Sequence, residues 1–150
     1  DPTLEMLDRL VKAAGKRLSV ELVADESEPT LASLATAVEQ SSGRLSIDWT
    51  RLRGFADWAR QNNDKVAAAI ADPPVSTNTP LDYILAAMAE LLADEHGLDR
   101  PRWTRAVGRL KDPWSPPATP AMKSRAGQTA PEPFRRRNLI LPRSAIFRAA

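Results

Sequence analysis

Residues 81–95, LDYILAAMAELLADE, are the one long stretch of this chain where helical spacing and high apolar content coincide. Leu81, Ile84, Leu85, Met88, Leu91 and Leu92 recur at the three- and four-residue steps that gather side chains on one helix face. Gly97 supplies a stop, because glycine takes the left-handed conformation that ends helices. A helix this apolar over about 80–95 belongs at the centre, with the rest of the chain wrapped around it. It is still shorter than the roughly 20 apolar residues that a membrane crossing needs. The chain holds no longer apolar run, so no membrane span is expected.

The flanking segments are expected to supply shorter elements. Pro2 suits a first helical position, and Leu4, Leu7, Val11 and Ala14 make a stripe over 2–14 that Gly15 closes. Lys12, Lys16 and Arg17 then sit at the negative end of that helix. From there the period changes to two. Leu18, Val20 and Leu22 alternate with Arg17, Ser19 and Glu21, as in a half-buried strand over 17–23. A lone strand needs a partner for its backbone groups. Pairing with its copy in a homodimer is expected, through Leu18, Val20 and Leu22, with the stretch 137–141 as the other candidate.

Pro29 opens a helix expected over 29–41, with Leu31, Leu34, Ala35 and Val38 inward and Gly43 as its stop. Asp48 is a good N-cap for a helix over about 49–62, whose core face is Leu52, Phe55, Ala56 and Ala59. Trp49 and Trp58 stand at the edge of that face. A short helix over about 64–71 ends at DPPVSTNTP, and another is expected within 101–110. Pro101 and the six prolines of 113–133 predict an extended, wrapping connector without helix. Leu139, Ile140 and Leu141 form a short apolar run that reads as an edge strand or an anchor.

The fold class expected is mainly α. It is a helical bundle of about five to six helices with one or two short β-strands and a Pro-rich, extended, basic C-terminal segment. Three parts follow: 1–23 with its strand, a helical core over 24–99, and a basic tail over 100–150. The charge balance draws the last boundary. Residues 1–99 carry 9 Lys/Arg against 17 Asp/Glu, whereas residues 100–150 carry 12 against 2. The basic part has three possible counterparts: nucleic acid, an acidic partner protein, or the acidic first half of its own chain.

Candidate chemistry is sparse. The chain has no cysteine, which excludes disulfides, thiolate nucleophiles and cysteine metal sites and fits a reducing cytoplasm. The single histidine, His96, excludes sites built from several imidazoles. Asp94, Glu95 and His96 are adjacent, yet neighbours on a helix point in different directions. No metal or cofactor site is therefore expected, and no catalytic residue. No Gly-rich phosphate loop or nucleophile elbow is present. The sharpest polar feature is Arg135, Arg136 and Arg137 beside the Leu139–Leu141 run, and these six residues are the candidate partner-binding set.

The opening residues Asp1, Pro2, Thr3, Leu4, Leu7, Arg9 and Leu10, closing on Ala14 and Gly15, resemble the D-P-[ST]-L-x-x-L-x-R-L motif that ends Xre-type (Cro/repressor-like) helix-turn-helix domains. DYILAAMAELLADEHGL, RPRW and FRRRN are similar to C-terminal regions of helix-turn-helix proteins, many of them encoded beside toxins. The resemblance implies a type II antitoxin that neutralises a cognate toxin by direct binding, the toxin being of ribonuclease or nucleotidyltransferase class. It also implies operon autorepression through the helix-turn-helix. The recognition helix that enters the major groove would precede Asp1, so operator DNA is a partner only through that part and no base-reading residue is carried over. The alternative implied is an Xre-type transcriptional regulator whose C-terminal domain oligomerises or senses a ligand in a pocket lined by Trp49, Trp58 and Met88.

Overall fold

A computed structural model describes residues 28–117 and 119–147. The helix and strand expected within 1–23, with Leu18, Val20 and Leu22, lie outside the described residues, as do the motif positions from Asp1 to Gly15. The described residues are mainly helical, with a small two-stranded antiparallel sheet.

The chain enters through Thr30, whose hydroxyl accepts from the Ser33 amide and starts a 3₁₀ turn over Leu31–Thr36. The helix expected over 29–41 ends there. Ser42 and Gly43 both take positive φ, 53° and 77°, and form a two-residue hairpin turn rather than a helix stop. Strand β1 (Val38–Ser41) pairs antiparallel with β2 (Arg44–Ile47) in the register Val38↔Ile47, Glu39↔Ser46, Gln40↔Leu45 and Ser41↔Arg44. Val38, Leu45 and Ile47 turn toward the core, and Glu39, Ser41, Arg44 and Ser46 toward solvent. The Asp48 amide donates to the Ala37 carbonyl and closes the hairpin base.

Asp48 then caps helix α1 (Trp49–Gln61) by accepting from the Arg51 amide at 3.2 Å. Its buried face is Leu52, Phe55, Ala56 and Ala59, the four positions that the periodicity indicates. After a 3₁₀ turn, α2 (Val66–Ala69) leads into the proline turn. Helix α3 (Leu81–Glu95) is the centre of the molecule. Gly97, at φ 67°, ends it as the Leu98 amide reaches back to the Ala93 carbonyl and the Gly97 amide to Asp94.

Helix α3 is buried on more than its predicted face. Ala86, Ala87, Ala89, Glu90 and Ala93 are enclosed along with its leucines and isoleucine. In the second half of the chain, α4 (Trp103–Ala106), α5 (Pro120–Thr129) and α6 (Glu132–Arg135) follow, then a 3₁₀ turn over Arg143–Ala145, and α4 and α6 pack against α3. The break expected at residue 100 is not a break in packing. Phe134, Leu139, Leu141, Ile146 and Phe147 join the same hydrophobic cluster as Leu31, Leu52 and Leu85.

Helix α5 corrects the expectation of an uninterrupted extended connector over 113–133. Thr119 caps it by accepting from the Met122 amide, and Pro120 occupies its first turn, where a missing N–H costs nothing. The next proline is Pro131, past its end. Among the described residues the Leu139–Leu141 run makes a single parallel bridge, Trp114 to Leu139. The amides of Asn138, Leu139 and Ile140 donate to Arg135, Phe134 and Trp114 carbonyls. They are therefore spent, which removes 137–141 as a ladder for the strand expected at 17–23.

Phe134 is fully buried in the shared core, so Phe134→Ala should cost about 3–5 kcal/mol. Urea unfolding followed by circular dichroism should show one transition at lower denaturant. A separate early transition with the helical signal of α3 unchanged would contradict a shared core.

Candidate partner-binding surface

The organising polar feature is a buried carboxylate on α3. Glu90 and Arg137 are each 1% exposed, and their side chains pair in the bidentate geometry that suits guanidinium and carboxylate: Nη1 to Oε1 at 2.8 Å and Nη2 to Oε2 at 2.9 Å. Arg137 also donates from Nη1 to the Pro133 carbonyl and from Nη2 to the Thr104 carbonyl, both at 3.1 Å. Its Nε is buried without a hydrogen-bond partner among the described residues. Arg136 reaches Glu90 Oε2 at 2.6 Å, and Arg100 reaches Oε1 at 3.4 Å. Arg100 further binds Asp94 and Glu132, closing a network across α3, α6 and the segment between α3 and α4.

Burial pushes the Glu90 carboxyl up, but hydrogen bonds and charge from Arg137, the nearby Thr104 hydroxyl and Arg136 outweigh it and hold the group below its ordinary range. Glu95 follows the same pattern. Burial raises it, and Arg60 and Arg143 more than compensate. Arg60 and Arg143 also face the Phe147 ring, with guanidinium carbons 5.1 and 4.9 Å from its centroid.

The candidate set is therefore divided. Arg137, Leu139 and Leu141 lie inside the protein, Ile140 is half-buried, and Arg135 and Arg136 are exposed. The apolar run anchors the tail in its own core rather than offering an anchor to a partner. Consecutive residues on a short helical turn diverge: Arg135 Nε donates to the Ala130 carbonyl, while Arg136 and Arg137 turn to the acidic half of their own chain. Asp94, Glu95 and His96 also go separate ways. Asp94 binds Arg100, Glu95 binds Arg60, and His96 donates from Nδ1 to the Leu92 carbonyl with Nε2 3.0 Å from Asn63 Oδ1. Trp49, Trp58 and Met88 do not come together as a pocket wall. Met88 is fully buried, Trp58 stacks on Phe55 with centroids 5.8 Å apart, and Trp49 borders a depression at the hairpin base.

Two surface features remain. The first is basic. Arg102, Arg105, Arg109, Lys111 and Arg135 are exposed, and none has an ion-pair partner among the described residues. Hydrogen bonds tie the backbone that carries them to the Arg137–Asn138 turn. Leu110 N donates to the Arg137 carbonyl, Asn138 Nδ2 to the Leu110 carbonyl, and Arg109 to Asn138 Oδ1. The second is an apolar cavity of about 750 Å³ bordered by Pro73, Pro74, Pro80, Tyr83, Trp103 and Val107. Trp103 is held there by its Nε1–H on the Ile70 carbonyl, 3.0 Å away. Asp82 at the rim already accepts from Ser76, Thr77 and Asn78, so its charge is spent on the turn. Sequence reasoning placed the basic excess in residues 100–150 and named Arg135, but it singled out neither the cations of 102–111 nor the cavity. The cavity residues are scattered over 73–83 and 103–110, and the cations over 102–111 and 135.

Among the described residues no helix is long and apolar enough to cross a membrane, and no group of three or more metal-ligating side chains gathers. No family model, no curated protein and no solved structure matches the chain.

Breaking the buried pair should be costly, because it strands a charge in the core. Glu90→Leu or Arg137→Leu alone should each cost about 3–5 kcal/mol, and the double replacement should cost less than the worse single. Denaturant melts of the three variants measure this, and additive losses would contradict it. Acid should also weaken the fold. The folded Glu90 and Glu95 carboxyls lie below the ordinary 4.5, so their contribution is present above that value and lost as pH falls below it through their folded values. Stability measured from pH 7 to 3 should decline in that window, and Glu90→Gln should start lower and decline less.

Proposed function

We propose that this chain is the toxin-neutralising part of a type II antitoxin of Xre type. It would act by steric cover, laying a preformed basic surface over an acidic cleft of its partner. The observation that carries this reading is the set of cations without an ion-pair partner among the described residues, Arg102, Arg105, Arg109, Lys111 and Arg135, on backbone tied to the Arg137–Asn138 turn. A backbone already held in place loses little freedom on binding, and opposite potentials speed encounter and select the partner. Enzymes that act on RNA or nucleotides with metal ions carry acidic sites of complementary sign, which fits a ribonuclease or nucleotidyltransferase toxin. In this account Arg136, Arg137 and the Leu139–Leu141 run build the surface from beneath, and Arg135 is the member of the arginine triplet that contacts the partner. Autorepression of the operon would belong to the helix-turn-helix that the opening residues resemble, in a cytoplasmic homodimer.

One observation favours a second reading, a regulator that senses a ligand: the cavity between residues 73–83 and 103–110 has the size and apolar lining of a small-molecule site. The two readings separate experimentally. Arg105→Glu with Arg109→Glu should weaken capture of the protein encoded by the adjacent gene at least about tenfold at low salt, with the melting temperature little changed. Filling the cavity with Val107→Trp should leave that capture intact. If Val107→Trp instead abolishes a promoter response while the charge reversals do nothing, the regulator reading replaces the antitoxin one.

A further inference from the structure

The hairpin is a sheet with one strand too few. Its turn is two residues long, and the Asp48 amide donates to Ala37 beyond the last strand pair. In an antiparallel ladder the directly hydrogen-bonded pairs alternate with pairs that are not. Residues 37, 39 and 41 therefore bond toward β2, and the backbone groups of Val38 and Gln40 point outward from β1. Neither has a hydrogen-bond partner on that side among the described residues. Gln40 is exposed and Val38 only half-buried, so this edge is uncovered. An open edge of unpaired backbone groups invites a further strand.

We propose that the outer edge of β1 is the docking site for residues 17–23 of the same chain, which would add an antiparallel third strand. Three observations support this occupant over others. The segment RLSVELV has the matching alternation: Leu18, Val20 and Leu22 fall on the face of Val38, Leu45 and Ile47, and Arg17, Ser19 and Glu21 on the solvent face. On the solvent face the neighbouring strand presents Glu39, and the register that sets Ser19 opposite it places Arg17 on the diagonal to complement that charge and keeps Glu21 from facing it. The connection also reaches. The 3₁₀ turn Leu31–Thr36 advances about 12 Å at roughly 2 Å per residue. Residues 24–30 span up to about 23 Å at about 3.3 Å each, so Val23 can lie beside the hairpin base. The other candidate ladder, at 137–141, has the amides of residues 137–140 spent. Docking here would also tie the helix expected over 2–14 to the hairpin, and it stands whether the chain is an antitoxin or a sensor.

The absence of cysteine makes the test clean. In the full chain, Leu18→Cys, Val20→Cys and Leu22→Cys are each combined with Gln40→Cys and oxidised. The proposal expects one register to form an intramolecular disulfide, seen as a monomer on a non-reducing gel with the 17–23 and 40 peptides joined. Hydrogen exchange should show the Val38 and Gln40 amides protected at least about tenfold in the wild type, with that protection lost in Val20→Pro. A dimer linked between residue 20 of one copy and residue 40 of another would overturn the same-chain occupant, as would a dimer from Val20→Cys alone. Fast exchange at both amides in the wild type, or no disulfide in any register, would overturn the docking site altogether.

Discussion

The second half of this protein is held in place by one buried carboxylate. Glu90 sits on the central helix with three guanidinium groups around it, from Arg100, Arg136 and Arg137. An ionised carboxylate is tolerated there only because the bidentate pair with Arg137 offsets the loss of water. That requirement is directional. Arg137 must arrive at one height on α3 and in one orientation, and in doing so it delivers Pro133, Phe134 and the Leu139–Leu141 run to the apolar surface beside it. The hydrophobic contacts supply most of the stabilisation, and the ion pair selects which of many apolar arrangements is adopted.

The same contact organises the surface. Arg137 Nη2 binds the Thr104 carbonyl, and the turn that follows binds Leu110, Arg109 and Trp114. The segment over 102–114 is thereby laid along the tail, and it carries one wall of the apolar cavity and the exposed Arg102, Arg105 and Arg109. The lopsided charge of the chain is thus used in two ways. Part of the basic excess is consumed internally against Glu90, Asp94, Glu95 and Glu132, while Arg102, Arg105, Arg109, Lys111 and Arg135 are exposed. The reading of the protein as a partner-binding module rests on those exposed cations.

Local rules read from the sequence located α1 and α3 closely, because each has a cap or stop and an apolar face at helical spacing. Asp48 caps the first, Gly97 stops the second, and Leu52, Phe55, Ala56 and Ala59 are buried as their spacing indicates. The hairpin was hidden because Leu31, Leu34, Ala35 and Val38 mimic a helical stripe, and because Gly43 serves a helix stop and a hairpin turn equally well. Helix α5 was hidden by a proline count that did not weigh position, since Pro120 sits where a helix accepts proline. The back face of α3 carried a signal that spacing arguments pass over. Ala86, Ala89 and Ala93 are small where an exposed helix face would be long and charged, and Glu90 stands alone among them.

By itself the sequence determined the class of the fold, the central helix, the absence of thiol and multi-histidine chemistry, and the separation of charge along the chain. These follow from side-chain type and spacing within about one helical turn or one strand. Which arginine is buried in the pair with Glu90, which is ion-paired at its edge and which only meets a backbone carbonyl was decided only by the tertiary structure. Arg135, Arg136 and Arg137 are chemically identical and adjacent, and they differ only in what the return of the tail places opposite each one: the Ala130 carbonyl, the edge of the Glu90 network, and the buried Glu90 carboxylate itself. A contact across 47 residues depends on the relative placement of two elements, and no local pattern encodes that placement.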